Sequence, residues 1–262
     1  MNPKKLIEKK KIDTGGHILT FIRLDSCDST NNYLRRNLTT MVNQFPVGIS
    51  SRTQVRGRGR NDRKWFSARD QGLYISLGFF FNEPQHLNLL SLIAGITLSE
   101  TLNRITGREF NLKWPNDVLY QGKKIAGILI ENIIKKDRII SICGMGININ
   151  QLRSDFPDDL RESAISARMI TGQSLDIQTV EPHLIRLFFK WLDVLEREEK
   201  STIINTVIRM NCYERGEKIT FHQNRKSIKA RFLEINPEGG IVLEKTTGEK
   251  VVFFSGEIDP FP

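Results

Sequence analysis

Residues 111–131 read NLKWPNDVLYQGKKIAGILIE. A strand pattern covers 111–114 and extends through Tyr120, a turn is expected at Gln121-Gly122, and an apolar strand follows over 124–131. A glycine between two short β-type runs is a hairpin signal. A further β-type run covers 139–149, so the centre of the chain is predicted to consist of consecutive strands.

Regular patterns also flank this centre on both sides. Alternating apolar residues predict strands over 18–24, 47–54 and 72–81, and helical spacing predicts helices over 84–104, 180–199 and 202–211. The capping residues Asp28-Ser29-Thr30-Asn31 predict the start of another helix. Residues 157–172 are expected to be a loop with a short helix, and the Lys-rich residues 1–12 a frayed segment or a short amphipathic helix.

The pattern changes after Cys212. Short strands are predicted over 217–221, 226–235, 240–244 and 250–254, separated by turns rich in Gly, Asn and Pro. Several short strands in so short a segment suit a small β-barrel. We therefore predict two domains, residues 1–211 and residues 212–262.

Composition excludes several classes of protein. Apolar residues make up 39% of the 262 residues, which is typical of a globular chain and excludes a disordered tail or a collagen-like repeat. The three cysteines form no CxxC pair, and no zinc motif, GxSxG elbow, complete GxGxxG or P-loop is present. No apolar segment resembles a secretion signal or a membrane span, so a cytoplasmic location is expected.

The formal charge of +9 suggests an acidic partner, which could be nucleic acid, an anionic membrane surface or a phosphate-bearing ligand. The segment from Gln54 to Trp65 concentrates this charge. It carries five cations, Arg56, Arg58, Arg60, Arg63 and Lys64, together with Gly57 and Gly59. Glycine lets the backbone approach a ligand, and arginine offers a planar fork to phosphate oxygens. This loop is predicted to cradle an oligophosphate; a nucleic-acid contact or a solvated basic loop are the alternatives.

Three further motifs could carry chemistry. Lys113-Trp114-Pro115-Asn116-Asp117 places polar side chains in a turn after a strand. Lys124 begins a strongly apolar strand, where its ammonium could neutralise a carboxylate or phosphate; an ordinary edge-strand lysine is the alternative. Gly144 and Gly146, followed by Asn148, suggest close approach of a ligand to a strand.

These motifs, in this order, resemble the biotin protein ligase family. The matching segments are Asp28 to Asn31, Gln54 to Trp65, Lys113 to Asp117, Lys123 to Ile128 and Gly144 to Asn148. The resemblance implies an α+β fold of the class II synthetase type, in which a mixed β-sheet is flanked by helices and followed by a small SH3-like C-terminal β-barrel. It also implies that the enzyme joins biotin to ATP, forms biotinyl-5′-AMP, releases pyrophosphate, and transfers biotin to one lysine of a carrier protein.

The resemblance also implies roles for individual residues. Biotin would be bound by Ser29, Thr30, Asn31, Gln54, Gly57, Arg58, Gly59, Arg60, Lys124 and Gly127. The nucleotide would be bound by Arg58, Arg60, Arg63, Trp65, Lys113, Asn116, Asp117, Lys124 and Asn148. Lys124, Arg58 and Arg60 would be the catalytic residues, and Asp117 would help to hold Mg²⁺.

Partners follow from the same resemblance. The acceptor would be a biotin carboxyl carrier protein or the carrier domain of a biotin-dependent carboxylase, with no membrane involved. The segment before Phe21 is too short for the DNA-binding domain of some family members, so a ligase without DNA binding is expected, as a monomer or weak homodimer. The chain departs from the family at Asn61-Asp62, where glycines are usual. A lipoate or octanoate ligase or transferase and a basic nucleic-acid-binding module are the alternatives.

Overall fold

The computed structural model describes residues 6–135, 138–224 and 226–259. Within them a mixed sheet of eight strands forms the centre of the molecule, in the order β1-β2-β3-β4-β8-β7-β6-β5. The strands are β1 Leu6–Asp13, β2 Ile18–Leu24, β3 Val47–Ser51, β4 Gly72–Phe81, β5 Asn111–Lys113, β6 Asp117–Tyr120, β7 Lys123–Lys135 and β8 Arg138–Asn148. β2 and β3 run parallel, and the other neighbours run antiparallel.

Helices cover both faces of this sheet. They are α1 Thr30–Arg36, α2 Leu38–Met41, α3 Leu89–Thr106, α4 Ala167–Thr171, α5 Ile177–Glu196 and α6 Lys200–Met210. The apolar sides of α3, α5 and α6 join the main core on one face, whereas Leu34 and Leu38 pack with Ile49 and Ile142 on the other. The predicted mixed sheet flanked by helices is therefore confirmed.

The hairpin predicted at Gln121-Gly122 is present between β6 and β7. Gln121 and Gly122 have φ values of 48° and 77°, and Tyr120 pairs with Lys123. Two consecutive left-handed residues suit the twist of a tight hairpin, and glycine adopts this conformation at the second position without steric strain. This turn brings Lys124 onto the strand next to Asp117.

The prediction for residues 1–12 is wrong where the structure describes them. Leu6–Asp13 forms the edge strand β1, which pairs antiparallel with β2. The alternation that marks a strand is weak here because the strand is mostly solvent-exposed and Ile12 is its one buried apolar side chain. Lysines are common on such edges, where they discourage further pairing.

The predicted small C-terminal β domain is confirmed, but its strands form an antiparallel sheet that, over the ranges the structure describes, does not close into a barrel. The strands are β9 Lys218–Gln223, β10 Lys226–Ile235, β11 Ile241–Lys245, β12 Lys250–Phe253 and β13 Glu257–Ile258, in the antiparallel order β12-β11-β10-β9-β13. Among the described residues the two outer strands do not pair with each other. Both are short, with four and two residues, and they offer few backbone groups for closure.

This sheet packs closely against the rest of the chain. Phe221 and Phe232 belong to the same hydrophobic cluster as Trp114, and Trp114 Nε1 donates to the carbonyl oxygen of Gly239 at 3.0 Å. The division at residues 211 and 212 stays a prediction.

Candidate functional site

A cavity of about 390 Å³ lies over β7 and β8, between the C-terminal sheet and the segment from Gln54 to Trp65, here called the basic loop. Its volume falls within the range of small-molecule sites. The predicted site residues that line it are Ser29, Thr30, Asn31, Gln54, Arg58, Gly59, Arg60, Arg63, Trp65, Lys113, Asn116, Asp117, Lys124, Gly127 and Asn148. Gly57 is not among the lining residues; a Cβ there would lie 2.5 Å from the Trp65 carbonyl oxygen, so this glycine lets the loop fold on itself.

Amide and hydroxyl groups line the end of the cavity next to α1. The backbone N–H of Thr30 donates to Gln54 Oε1 at 2.8 Å, and Gln54 Nε2 donates to Ser67 Oγ at 3.0 Å. Ser76 Oγ lies 2.7 Å from Thr30 Oγ1. The side chains of Gln54 and Thr30 are thus held in place by neighbours from the loop and from β4.

The strand glycines admit side chains of the protein itself. Gly144 of β8 pairs with Ser76 of β4 on one side and with Leu129 of β7 on the other. The Asn31 side chain lies over Gly144, and a Cβ on Gly144 would overlap Asn31 Oδ1. One row further along, a Cβ on Gly146 would lie 2.5 Å from Trp65 Cε2. The space over these glycines is therefore taken by Asn31 and Trp65, and close approach of a ligand to the strand stays a prediction.

The Trp65 indole lies over Gly127 and Gly146. The Lys124 ammonium lies 5.5 Å from the centre of this ring, within the range of a cation–π contact. Trp65 Nε1 is buried and has no hydrogen-bond partner in the described part of the chain. An unpaired buried donor in a cavity wall is a group that a ligand oxygen can satisfy.

The basic loop folds back through a tight turn. Gly59 N donates to the Arg63 carbonyl oxygen at 2.7 Å, and Asn61 and Asp62 between them have φ values of 51° and 58°. Asn and Asp tolerate this left-handed backbone best among residues with a side chain. The two residues that depart from the family's glycines therefore suit the left-handed backbone observed here.

Three arginines of the loop bond to acceptors around the cavity. Arg58 Nη1 donates to Asn32 Oδ1 at 2.7 Å and to Glu131 Oε1 at 3.2 Å, and Arg60 Nη1 donates to Asn116 Oδ1 at 3.0 Å. Burial lowers the pKa of Arg60. Arg63 is ion-paired with Glu257 of β13, which also accepts from Asn61 Nδ2 at 2.9 Å.

Positive charge dominates the opposite end of the cavity. Lys124 Nζ lies 2.6 Å from Asp117 Oδ1, and Lys113 lies nearby with a pKa that burial lowers. Because Lys113, Lys124, Arg60 and Arg63 outnumber the two carboxylates here, Asp117 and Glu257, this end suits an anionic ligand.

Asn116 and Asn148 line the cavity but are already bonded within the protein. Asn116 Nδ2 donates to the Ile128 carbonyl oxygen at 3.0 Å, and Asn148 Nδ2 donates to the Ile165 carbonyl oxygen at 3.2 Å. Their roles toward a nucleotide stay predictions.

The side chains do not form a dedicated metal cage. In the ranges that the structure describes, no three His, Cys, Asp or Glu side chains converge as metal ligands, and Asp117 is paired with Lys124. Mg²⁺ delivered on phosphate oxygens needs only one or two carboxylates, and Asp117 could supply one. The residues fit an ion of that kind.

Two acidic residues that bond to predicted site residues were not predicted themselves: Glu131, outside the cavity lining, and Glu257, within it. Glu131 follows Gly127 and Leu129 at period two along β7, so the strand pattern contained a signal for it. Glu257 comes from the C-terminal sheet, far along the chain, and no local pattern pointed to it.

Comparison with known proteins gives a matching family model and named relatives. The model of the Biotin/lipoate A/B protein ligase family matches residues 24–148. "Bifunctional ligase/repressor BirA" of Bacillus subtilis (strain 168) is 30% identical over 247 residues, covering 91% of this chain and 73% of that protein. "Biotin--[acetyl-CoA-carboxylase] ligase" of Paracoccus denitrificans is 28% identical over 222 residues, covering 79% of this chain and 90% of that protein.

A solved structure extends this similarity over nearly the whole fold. It is described as "Biotin protein ligase from Aquifex aeolicus in complex with biotin and ATP". It matches with a TM-score of 0.75 at 30% identity, covering 91% of this chain and 97% of that chain.

Proposed function

Because this chain belongs to the biotin/lipoate A/B protein ligase family, we propose that it is an ATP-dependent biotin–protein ligase. It joins biotin to ATP as biotinyl-5′-AMP with release of pyrophosphate, and then transfers biotin to a lysine of a carrier protein with release of AMP. The relative from Paracoccus denitrificans is named as a ligase that acts on acetyl-CoA carboxylase, and this name supports a carboxylase carrier as the acceptor.

The observation that carries this proposal is the division of the cavity into two ends. Amides and hydroxyls at the Asn31 end can pair with a ring that has both N–H donors and a carbonyl acceptor. Lys124, Lys113 and Arg60 at the other end can hold a carboxylate beside phosphates. Biotin has this polarity, with a ureido ring at one end and a carboxylate at the other.

The first step depends on positioning the biotin carboxylate beside ATP and on neutralising the negative charge of both. A carboxylate oxygen attacks the α-phosphorus of ATP, the new C–O–P bond forms, and the bond to the pyrophosphate oxygen breaks. Both reactants are anionic, so cationic side chains at the point of attack lower the barrier. Lys124 is the side chain best placed for this task, since Asp117 and the Trp65 ring hold its ammonium in the cavity.

The second step requires access for the carrier. The amine of the carrier lysine attacks the acyl carbonyl of the adenylate, the amide bond forms and AMP leaves with the electron pair. The mixed anhydride is easily hydrolysed, so a wall that excludes water is useful until the carrier binds. The loop held by Glu257 supplies such a wall.

Asp117 would hold a Mg²⁺ ion that is bound to the phosphates of ATP, and the ion would neutralise phosphate charge. No helix in the described part of the chain is long and apolar enough to cross a membrane. A cytoplasmic location and a monomeric or weakly dimeric state stay predictions.

Pyrophosphate release tests the proposed substrate. The purified protein is incubated with ATP and, in separate reactions, with biotin, lipoate or octanoate. Release only with biotin is the expected result. Release with lipoate or octanoate but not with biotin would contradict the proposal and favour the alternative chemistry of the same family.

A further inference from the structure

The Glu131 carboxylate lies on the same face of β7 as Gly127 and Leu129, and it bonds to residues from two walls of the cavity. Its Oε2 accepts from Asn31 Nδ2 at 2.8 Å, and its Oε1 accepts from Arg58 Nη1 at 3.2 Å. The side chain is 16% exposed, and Arg35 lies on its solvent side at 3.7 Å. Glu131 is therefore a shared acceptor for α1 and for the basic loop.

The Asn31 amide is held in one orientation by groups on both sides. Its Oδ1 lies 2.6 Å from Ser76 Oγ, and its Nδ2 donates to the Leu129 carbonyl oxygen at 3.2 Å as well as to Glu131. Oδ1 also lies directly over Gly144, which lines the cavity. The oxygen of the amide is thus on the side of Gly144, and its nitrogen is on the side of Glu131.

The opposite orientation would be unfavourable because of Glu131. A reversed amide would place Oδ1 against two acceptors, the Leu129 carbonyl and the Glu131 carboxylate, and both hydrogen bonds from Nδ2 would be lost. Ser76 does not fix the orientation alone, because a hydroxyl can accept from Nδ2 as readily as it donates to Oδ1. The Glu131 carboxylate and the Leu129 carbonyl together exclude the reversed state, and Glu131 makes the shorter of the two hydrogen bonds.

We infer that Glu131 is a positioning residue for biotin, an inference that rests on the proposed function. It acts through Asn31 and keeps the amide oxygen available as an acceptor for an N–H of the ureido ring. A reversed Asn31 would present N–H groups to the N–H groups of the ligand. Glu131 thereby selects for cyclic ureas over acyl chains that lack such donors.

Glu131→Gln tests the inference with little change in volume. The glutamine amide can donate to a reversed Asn31, so both orientations become accessible. Calorimetric titration is expected to give biotin binding at least about tenfold weaker than in the wild-type protein. The KM for ATP is expected to change less than about twofold, because the glutamine Oε1 can still accept from Arg58 Nη1. Arg35→Ala, which removes only the exposed partner of Glu131, is the control and should bind biotin normally.

A double-mutant cycle separates positioning from a general structural role. In an Asn31→Ala background, Glu131→Gln should no longer weaken biotin binding, since its effect passes through Asn31. Equal weakening in both backgrounds, or wild-type affinity of Glu131→Gln, would overturn the inference. Glu131→Asp, which withdraws the carboxylate, replaces Glu131→Gln in the same cycle if the glutamine variant does not fold. Absence of biotin binding by the wild-type protein would instead overturn the proposed function on which the inference rests.

Discussion

At the scale of single residues, several side chains of the cavity have unusual surroundings. Lys124 faces an aspartate and an indole ring, Lys113 is half-buried, and Trp65 keeps a buried N–H without a partner among the described residues. Lys124 is held by its two neighbours, whereas the buried charge of Lys113 and the unpaired Trp65 N–H are unfavourable for folding unless a ligand completes them. A carboxylate beside a triphosphate would supply the missing negative charge and acceptors.

Replacement of Lys124 is the most direct test at this scale. Lys124→Ala should lower the rate of adenylate formation by about 10²-fold or more, since one cation at the point of attack is removed. Pyrophosphate release under saturating substrates measures this, and circular dichroism checks the fold. Lys123→Ala, at the neighbouring position outside the cavity lining, is the matched control. Turnover of Lys124→Ala equal to that of the control would exclude Lys124 from the chemistry.

Lys113 makes a prediction about stability and pH. Burial lowers its pKa in the folded protein, so the unfolded chain binds more protons in the pH range between the lowered value and the ordinary lysine value. The free energy of unfolding therefore rises with pH through that range, and below it the buried charge costs stability. Lys113→Met should be more stable than wild type at pH ~7, by up to about 1 kcal/mol, and this advantage should shrink towards pH ~10.

Urea denaturation at several pH values measures the effect, with the exposed Lys250→Met as control. A constant difference between Lys113→Met and wild type across this range would show that burial of the charge is not its cause. The same variant should use ATP more poorly, because the charge that is unfavourable for folding is placed for the ligand.

At the scale of elements, the glycines of β7 and β8 explain how a sheet can carry a pocket. Gly144 makes room for Asn31, and Gly127 and Gly146 make room for Trp65. Without side chains at these positions, groups from α1 and the loop reach the sheet surface and form the two ends of the cavity. The strands supply the floor, and the loop supplies most of the charge.

Gly144→Ala tests this role of the sheet. The new methyl group would overlap Asn31 Oδ1, so we expect a loss of about 1–3 kcal/mol in the free energy of unfolding and clearly weaker biotin binding. Thermal denaturation and calorimetry measure the two effects. Gly16→Ala is the control, because a Cβ there would lie 3.6 Å from its nearest neighbour, an Asp193 oxygen. It should leave the free energy of unfolding and the biotin affinity unchanged. Normal biotin affinity in Gly144→Ala would show that Asn31 need not lie over this glycine.

Elements with a buried alternating pattern could be predicted from the sequence, whereas others could not. β4 was predicted with its observed bounds because nearly all of it is buried. β1 was missed because its side chains are mostly exposed, and β13 is only two residues long and pairs through its backbone. In the site, the motif residues were predicted together, but the pairing of Arg63 with Glu257 depends on tertiary packing that no local pattern contains.

At the scale of the whole molecule, the C-terminal sheet closes the cavity. Glu257 accepts hydrogen bonds from Asn61 and is ion-paired with Arg63, so β13 holds the basic loop against the sheet. The shared core around Trp114 and Phe221 keeps this sheet in position. The charge of +9 is partly explained at this scale, since the loop brings four of its five cations, Arg58, Arg60, Arg63 and Lys64, to one site.

Glu257→Gln tests the connection between the two sheets. Loss of the ion pair should release the loop and raise the KM for ATP by about tenfold, with a smaller loss of biotin affinity because Asn31 and Gln54 do not contact Glu257. Steady-state kinetics and calorimetry give the two values. Glu249→Gln, at an exposed glutamate paired with Lys245, is the control. An unaltered KM for ATP would show that the loop does not need Glu257.

The most direct measurement of the central proposal is the modification of a carrier. A biotin carboxyl carrier domain is incubated with the purified protein, biotin and ATP, and its mass and modified residue are determined by mass spectrometry. The proposed function predicts one biotinyl group on one lysine, formed only when ATP is present. An unmodified carrier, or a carrier that accepts lipoate or octanoate in place of biotin, would contradict it.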